Sequence, residues 1–208
     1  VTVGVVLAVR DVWFGYAGGA DVLRGVTFEL AAGEAALMWG LNGAGKTTLG
    51  KVLAGVLKPR RGEVARAGGV GMVLAEPSAM LLGPTPAEDV RLGPAVAGLE
   101  EAEVARRVAA ALEAVGMTAR RDVPCEALSV GERKRVALAA AFALEPAALV
   151  LDEPFAFLDD AQEAALWEAI DRRRAAGAAF LILSGRREVG RRCDRTWALA
   201  EGVARAVV

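Results

Sequence analysis

The stretch Gly40-Leu41-Asn42-Gly43-Ala44-Gly45-Lys46-Thr47-Thr48 constrains this chain more than any other, because it fits the spacing G-x-x-x-x-G-K-S/T. That spacing has a mechanical reason. Glycines let the backbone curl until successive N–H groups face one anion, and the helix expected to begin near Lys46 adds the positive end of its dipole. In such a loop Lys46 reaches the β and γ phosphates of a nucleotide, and the Thr47 hydroxyl ligates Mg²⁺.

A Gly-rich turn that ends in Lys-Thr by chance is the competing explanation. The chain holds 24 glycines but only four lysines (Lys46, Lys51, Lys58, Lys134) and ten serines and threonines together, so a chance coincidence of all the fixed positions is rare. The flanks agree with the motif. Glu34 to Trp39 is an apolar, strand-like run that enters the loop, and Leu49 to Leu57 reads as the helix that leaves it.

With 208 residues the chain can bury a substantial core, and one compact unit with an inserted subdomain is the expectation. A net charge of −1 supplies no global basic field, so nucleic acid is not an implied partner. The clusters Arg172 to Arg174 and Arg191–Arg192 read as solvated helix faces. The hydrophobic fraction of 54% comes largely from alanine. Val136 to Leu144 is the longest helix-like apolar run, and Glu145-Pro146 stops it well short of the roughly 18 residues a membrane span requires. Val1 to Val9 reads as a first strand rather than a signal peptide. Cys125 and Cys193 form no C-x-x-C pair, which points to reduced thiols in a cytosolic setting and to neither being a nucleophile. The chain has no histidine, which removes His-based general-base chemistry and His-ligated metals.

Strand-like segments near 3–9, 26–30, 35–39, 70–74, 147–151, 179–183 and 196–200 alternate with helical patterns, so the fold class is α/β. From Ala75 to Leu128 the strand signal disappears. This stretch carries the turns Gly83-Pro84 and Gly93-Pro94 and a helix from Glu100 to Val115, with Val104, Val108, Leu112 and Val115 on one face. The expected organisation is one domain over 1–208: a nucleotide-binding α/β core of 1–74 and 146–208, and a helical subdomain over 75–145.

Ala148-Leu149-Val150-Leu151-Asp152-Glu153-Pro154 is a second landmark, an apolar strand ending in two carboxylates. Ligands of α/β sheets sit beyond the carboxyl ends of strands, where Asp152 and Glu153 emerge. Asp152 is suited to hold Mg²⁺ through water, and Glu153 to orient or deprotonate the attacking water. The third landmark is Leu128-Ser129-Val130-Gly131-Glu132-Arg133-Lys134-Arg135, ahead of an apolar helix. Ser129 and Glu132 make an S-x-x-E capping box, and the same glycine-bearing helix N-terminus is also a ready anion site. Sequence physics leaves both readings open.

In order and spacing these segments resemble an ABC-type ATPase subunit from about residue 5 to about residue 203. Gly40 to Thr48 is similar to Walker A, and Leu149 to Glu153 to Walker B with the catalytic glutamate. Tyr16, in Trp13-Phe14-Gly15-Tyr16, resembles the aromatic that stacks on adenine, and Leu158-Asp159 resembles the D-loop. Leu128 to Glu132 is similar to the LSGGQ signature, which contacts ATP bound on the opposite subunit. The resemblance thus implies ATP held by Tyr16, Asn42, Gly43, Ala44, Gly45, Lys46, Thr47 and Thr48, with Mg²⁺ on Thr47 and Asp152. It also implies Glu153 as the catalytic group, Asp159 in the D-loop, and Ser129, Val130, Gly131 and Glu132 as the signature facing a partner's ATP.

Membership implies a P-loop NTPase of ABC ATPase type whose inserted helical subdomain docks onto membrane-spanning partners at the cytoplasmic face of the membrane. Two nucleotide-binding subunits would sandwich two ATPs head to tail, closing on binding and opening after hydrolysis. Pro84-Thr85-Pro86-Ala87-Glu88-Asp89-Val90 with Leu92-Gly93-Pro94 resembles the ATPases of energy-coupling-factor and cobalt-type importers, which implies uptake of a vitamin or metal ion. DNA-repair and chromosome ATPases of the superfamily would need a coiled-coil or zinc insertion that is not in this sequence.

Three positions depart from the family pattern. Val73-Leu74-Ala75-Glu76-Pro77 places Ala75 where the family has a glutamine, and the chain's only glutamine is Gln162. Leu183-Ser184-Gly185-Arg186 places Gly185 where the family has a switch histidine, and Val130 replaces a signature glycine. These departures fall on the hydrolysis machinery while the nucleotide-holding residues are intact. The expectation is a subunit that binds ATP well and hydrolyses it poorly, in a heterodimer more readily than a homodimer. The alternative is a regulatory ATP-binding partner with little or no hydrolysis of its own.

Overall fold

The computed structural model describes residues 4–76, 81–156 and 158–207. Val1, Thr2 and Val3 of the expected first strand, and Pro77 after Ala75, lie outside the described residues. The chain forms two compact units: Val1–Met72, Ala147–Pro154 and Arg173–Val208 make the first, and Val73–Pro146 with Phe155–Arg172 the second.

The first unit is built on two sheets. Strands β3 (Ala35–Trp39), β6 (Ala148–Asp152) and β7 (Ala179–Ser184) read as near-continuous apolar runs, as strands buried on both faces must. They occupy the middle of a six-stranded sheet in the order β5-β6-β7-β3-β8-β9, where β5 is Val70–Val73, β8 Arg195–Ala200 and β9 Val203–Val207. β3 runs parallel to both β7 and β8, β6 runs parallel to β7, and β8 and β9 pair antiparallel. This is the α/β architecture the alternating pattern predicts.

The second sheet is antiparallel, in the order β2-β1-β4, with β1 at Val5–Gly15, β2 at Asp21–Ala31 and β4 at Arg61–Arg66. Along β2, buried Leu23, Val26, Phe28 and Leu30 are separated by more exposed residues, so one face turns to the core. That face packs with Leu7, Val9 and Val12 of β1, Met38 of β3, Val150 of β6, and Leu49, Val52 and Leu53 of helix α1 (Lys46–Leu53). Burial from both sides fixes α1 and the strand ends around it. The phosphate loop therefore hangs from a rigid base.

The observed elements differ from the expected ones in three respects. The helix after the loop begins at Lys46, as the loop spacing leads one to expect, but ends at Leu53 rather than Leu57, with Gly55 just beyond it at φ 80°. β1 and β2 are both longer than their apolar patches, since pairing with each other carries them out to the Gly15–Asp21 end. β4 and β9 were not expected at all. β4 is an exposed, charged strand held by pairing with β1, and β9 follows a two-residue turn at Glu201-Gly202. Both turn residues have positive φ, 49° and 79°, the geometry that matches the twist of a tight hairpin. A Cβ on Gly202 would lie 2.3 Å from the Val22 carbonyl oxygen, so the position demands glycine on steric grounds too.

The second unit is helical. Helix α2 (Pro86–Val96) starts with proline at its first position and Thr85 as N-cap, whose hydroxyl oxygen accepts from the Glu88 N–H at 3.3 Å. Buried Asp89 accepts the N–H groups of Leu82 and Gly83 at 2.6 and 2.9 Å, fastening the preceding turn to the helix. In α3 (Glu101–Ala114), Val104, Val108 and Leu112 are buried as their spacing predicts. Glu103 pairs with Arg106 and Arg107 on its outer side, and their hydrogen bonds hold its carboxyl well down, at about 2. α4 (Val130–Ala143) and α5 (Asp160–Ala175) complete the helices, and Phe155 stacks on Trp167 of α5 with ring centroids 4.8 Å apart. Among the described residues no helix is long and apolar enough to cross a membrane.

Candidate nucleotide-binding site

The site in the first unit is assembled where β3 and β6 end. Gly45, the residue before α1, has φ 99°, and an added Cβ would stand 3.1 Å from Val22. Only glycine fits both the backbone conformation and the space. No side chain caps the N-terminus of α1, and its first turn contains no acidic residue. The first N–H groups of a helix need partners, and this end is left suited to an anion.

Lys46 and Thr47 then fall on the first turn of α1, facing the mouth of β6. The Thr47 hydroxyl donates to Asp152 Oδ2 at 2.6 Å, which places the two expected Mg²⁺ residues side by side. Lys46 is almost fully buried, and its ammonium donates to the carbonyls of Gly40 at 2.7 Å and Leu41 at 3.3 Å. Its Nζ is also 3.6 Å from Glu153 Oε1. Partners of these kinds are what a buried ammonium requires, and a phosphate would replace carbonyls with a formal negative charge.

Among the described residues no group of three or more Asp, Glu, Cys or His is arranged to hold a metal ion. Mg²⁺ prefers one or two protein ligands with substrate phosphates and water completing its shell, and the Thr47–Asp152 pair next to an uncapped helix end fits that mode. Tyr16 is half-exposed, packs edge-on against Phe14 at 5.1 Å, and has its hydroxyl 3.2 Å from Thr48 Oγ1. Its ring is thereby tied to the same helix turn. Arg60, which pairs with Asp21 at 3.0 Å and donates to the Tyr16 carbonyl at 2.9 Å, holds the backbone beneath it.

Glu153 has φ 46°, unusual for a residue with a side chain, and its N–H donates to the Leu183 carbonyl at 2.9 Å. Its carboxylate accepts the Ser184 hydroxyl at 2.9 Å and the Gly185 N–H at 2.8 Å. Sequence reasoning missed Ser184. The residue is buried at the end of β7, and no local pattern in the sequence signals that its hydroxyl meets a carboxylate 31 residues away. The structure thus gathers Tyr16, the loop through Thr48, Asp152, Glu153 and Gly185 in one unit.

The signature residues belong to the second unit. Ser129 caps α4: its side-chain oxygen accepts the Glu132 N–H at 3.2 Å, while its own N–H donates to Glu132 Oε2 at 2.9 Å. The capping box therefore forms. The Ser129 N–H above all, with Arg120 3.2 Å from the carboxylate, holds the Glu132 carboxyl below the usual range. Val130 is exposed on the first turn, and nothing stands within 4 Å of where a Gly131 Cβ would be. Asp159 caps α5, accepting the Gln162 N–H at 2.8 Å and returning its own N–H to Gln162 Oε1 at 3.2 Å. Ala75 follows β5 as an exposed residue whose methyl group has no hydrogen-bonding capacity. Both cysteines are free, and burial raises both thiols, that of Cys193 up to about 12, so neither is an activated thiolate.

Comparison with known proteins places this geometry in a family. The family model described as ABC transporter matches residues 23–156. An energy-coupling factor transporter ATP-binding protein, EcfA, of Methanocaldococcus jannaschii is 40% identical over 169 residues, covering 74% of this chain and 61% of that protein. The chain thus spans less than two thirds of that relative's length. A solved structure of an ATP binding subunit of an ABC transporter superposes with TM-score 0.86 at 31% identity, over 96% of this chain and 88% of that one. The structure of CbiO1 from Clostridium perfringens, described as part of the ABC transporter complex cbiONQ, gives TM-score 0.86 at 28% identity over 97% and 87% of the two chains. With a family model covering more than half of its length and these two subunits sharing its P-loop α/β fold, the chain belongs to the ABC transporter ATP-binding proteins.

Proposed function

We propose that this chain is the ATP-binding subunit of an ABC importer, and that its own site holds Mg-ATP firmly but hydrolyses it slowly. The observation that carries the reading is the Thr47–Asp152 contact at 2.6 Å beside the buried Lys46 ammonium. It joins two motifs more than a hundred residues apart into one phosphate and metal site. Asn42 to Thr48 supply the cradle, Tyr16 the adenine platform, and Thr47 with Asp152 the metal position. Bound Mg²⁺ would neutralise charge developing on the phosphates. Glu153 orients and deprotonates the attacking water, and Lys46 holds the terminal phosphates in line.

The likeness to EcfA and CbiO1 supports a role as a transporter's ATP-binding subunit, and the resemblance carried by Pro84 to Pro94 is the ground for taking a vitamin or metal ion as the cargo. Membrane-spanning subunits and a second ABC ATPase subunit complete the assembly at the cytoplasmic face of the membrane. Ser129, Val130, Gly131 and Glu132 face the partner's ATP, and Asp159 lies on the shared D-loop. Slow hydrolysis follows from Ala75 and Gly185, neither of which has a side chain able to hydrogen-bond water or phosphate. A heterodimer is favoured because a homodimer would carry these deficits twice. The same two residues favour one alternative, a regulatory ATP-holding subunit with no turnover at its own site.

Calorimetric titration with Mg-ATP tests the reading. The wild-type protein binds, and Lys46→Ala weakens binding at least tenfold, a loss of about 1.4 kcal/mol or more. No binding by the wild type overturns it.

A further inference from the structure

The loop after β7 lacks the histidine that the family places there, yet it is tightly organised. Two consecutive residues, Ser184 and Gly185, supply the hydroxyl and the N–H that fix both oxygens of Glu153. The direction of that carboxylate is therefore set by the local backbone at 184–185 together with the Lys46 ammonium, 3.6 Å from Oε1. Glycine is the residue least able to fix its own backbone, so something else must do so.

Part of the restraint is ordinary. The Gly40 N–H donates to the Ser184 carbonyl at 3.1 Å, and the Arg186 N–H donates to Ser184 Oγ at 3.1 Å. The Gly185 carbonyl is held differently. It accepts the indole N–H of Trp39 at 3.0 Å. The guanidinium of Arg187 lies 5.8 Å from the centroid of the same indole, within cation–π range. One rigid side chain thus grips the loop twice, by its edge at residue 185 and by its face at residue 187. A tryptophan offers a wide apolar face and a ring N–H donor on one rigid side chain. Trp39 is also the last residue of β3 and immediately precedes Gly40, so the strand that launches the phosphate loop carries this clamp.

We infer that Trp39 is a positioning residue for hydrolysis, acting through Gly185 to aim the Glu153 carboxylate. The inference rests on the reading of Glu153 as the group that handles the attacking water. Trp39 contacts neither Lys46 nor the cradle through its side-chain hydrogen bond, so its effect belongs in the rate of the chemical step rather than in nucleotide affinity.

The test is single-turnover ATP hydrolysis by the full-length protein in its native complex, with any second ATPase subunit silenced by substitution of its own Walker B glutamate. Trp39→Phe keeps an aromatic face and removes the N–H. The expected result is a fall in rate of about tenfold, the scale of a small misplacement of a reacting group, with Mg-ATP affinity changed less than twofold. In a Glu153→Gln background the same substitution changes the residual rate less than twofold, because the group it positions is gone. Arg187→Ala, at an exposed site, gives a smaller fall with the same dependence on Glu153, and serves if Trp39→Phe lowers the melting temperature too far to assay. An unchanged or increased rate, an equal fall in both backgrounds, or a matching loss of ATP affinity overturns the inference. If Glu153→Gln alone leaves the rate intact, the reading of Glu153 fails instead.

Discussion

Gly185 shows how much a missing side chain can decide. A Cβ there would meet only Glu153 Oε1 at 3.7 Å and the Gly40 carbonyl oxygen at 3.8 Å, both ordinary contacts, and the backbone is not left-handed. The backbone at residue 185 therefore admits a side chain as far as its Cβ. Gly185→His combined with Ala75→Gln is expected to raise hydrolysis at this site while changing Mg-ATP affinity little, since neither residue belongs to the cradle. Rates and affinities measured on the same preparations check this. At Cys193 the expectation is chemical silence. With its thiol pushed up to about 12, only about 10⁻⁴ of it is thiolate at pH 8, against a tenth or more for an unfolded cysteine. Only the thiolate alkylates, so iodoacetamide labelling at Cys193 in native protein at pH 8 is expected to run at least a hundredfold slower than in urea and to speed up as pH rises. The proposed cradle can be read from the sequence because its chemistry is local: one contiguous run supplies the backbone curl, the ammonium and the hydroxyl. Ser184 and Trp39 cannot be, because their partners are 31 and 146 residues away and only the parallel register of β3, β6 and β7 brings them together.

Elements buried on both sides, such as β6 and β7, announce themselves as apolar runs, and α3 announces itself by period. β4 and β9 do not. The sequence Arg61-Gly62-Glu63-Val64-Ala65-Arg66 is mostly exposed and exists as a strand because β1 offers it hydrogen bonds, which no local pattern records. For β9 the sequence does carry a signal, Glu201-Gly202 as a short turn between two alternating segments. Two glycines separate strain from collision. Gly116 ends α3 with φ 67°, its N–H donating to the Glu113 carbonyl at 3.0 Å and the Met117 N–H donating to the Leu112 carbonyl at 2.8 Å, and an added Cβ meets nothing nearer than 3.7 Å. Gly116→Ala is expected to cost about 1 kcal/mol, from the left-handed backbone alone. Gly202→Ala adds a backbone collision at 2.3 Å and is expected to cost about 3 kcal/mol or more, so denaturant midpoints of the two variants must rank in that order.

At the scale of the whole molecule, the function proposed above keeps the nucleotide-holding residues intact and puts its deficits at positions 75, 130 and 185. Such a division suits a subunit whose ATP serves mainly to hold an assembly closed, with a better-equipped partner completing turnover. Isolation from native membranes is accordingly expected to recover this chain with a second, different ATPase subunit that has its own histidine and glutamine. Recovery only as a homodimer with full ATP-driven transport counts against the heterodimer. The most direct measurement of the central claim is made in that assembly, with the partner's site silenced at its Walker B glutamate, by following Mg-ATP affinity and single-turnover hydrolysis at this chain's own site together. Donors aimed at transition-state charge contribute about 10² to 10³ in rate, so the account predicts tight binding with hydrolysis slower by about that factor than at the partner's intact site. It also predicts that Gly185→His with Ala75→Gln recovers part of the difference. A wild-type rate equal to the partner's, with no gain from the double substitution, would contradict it.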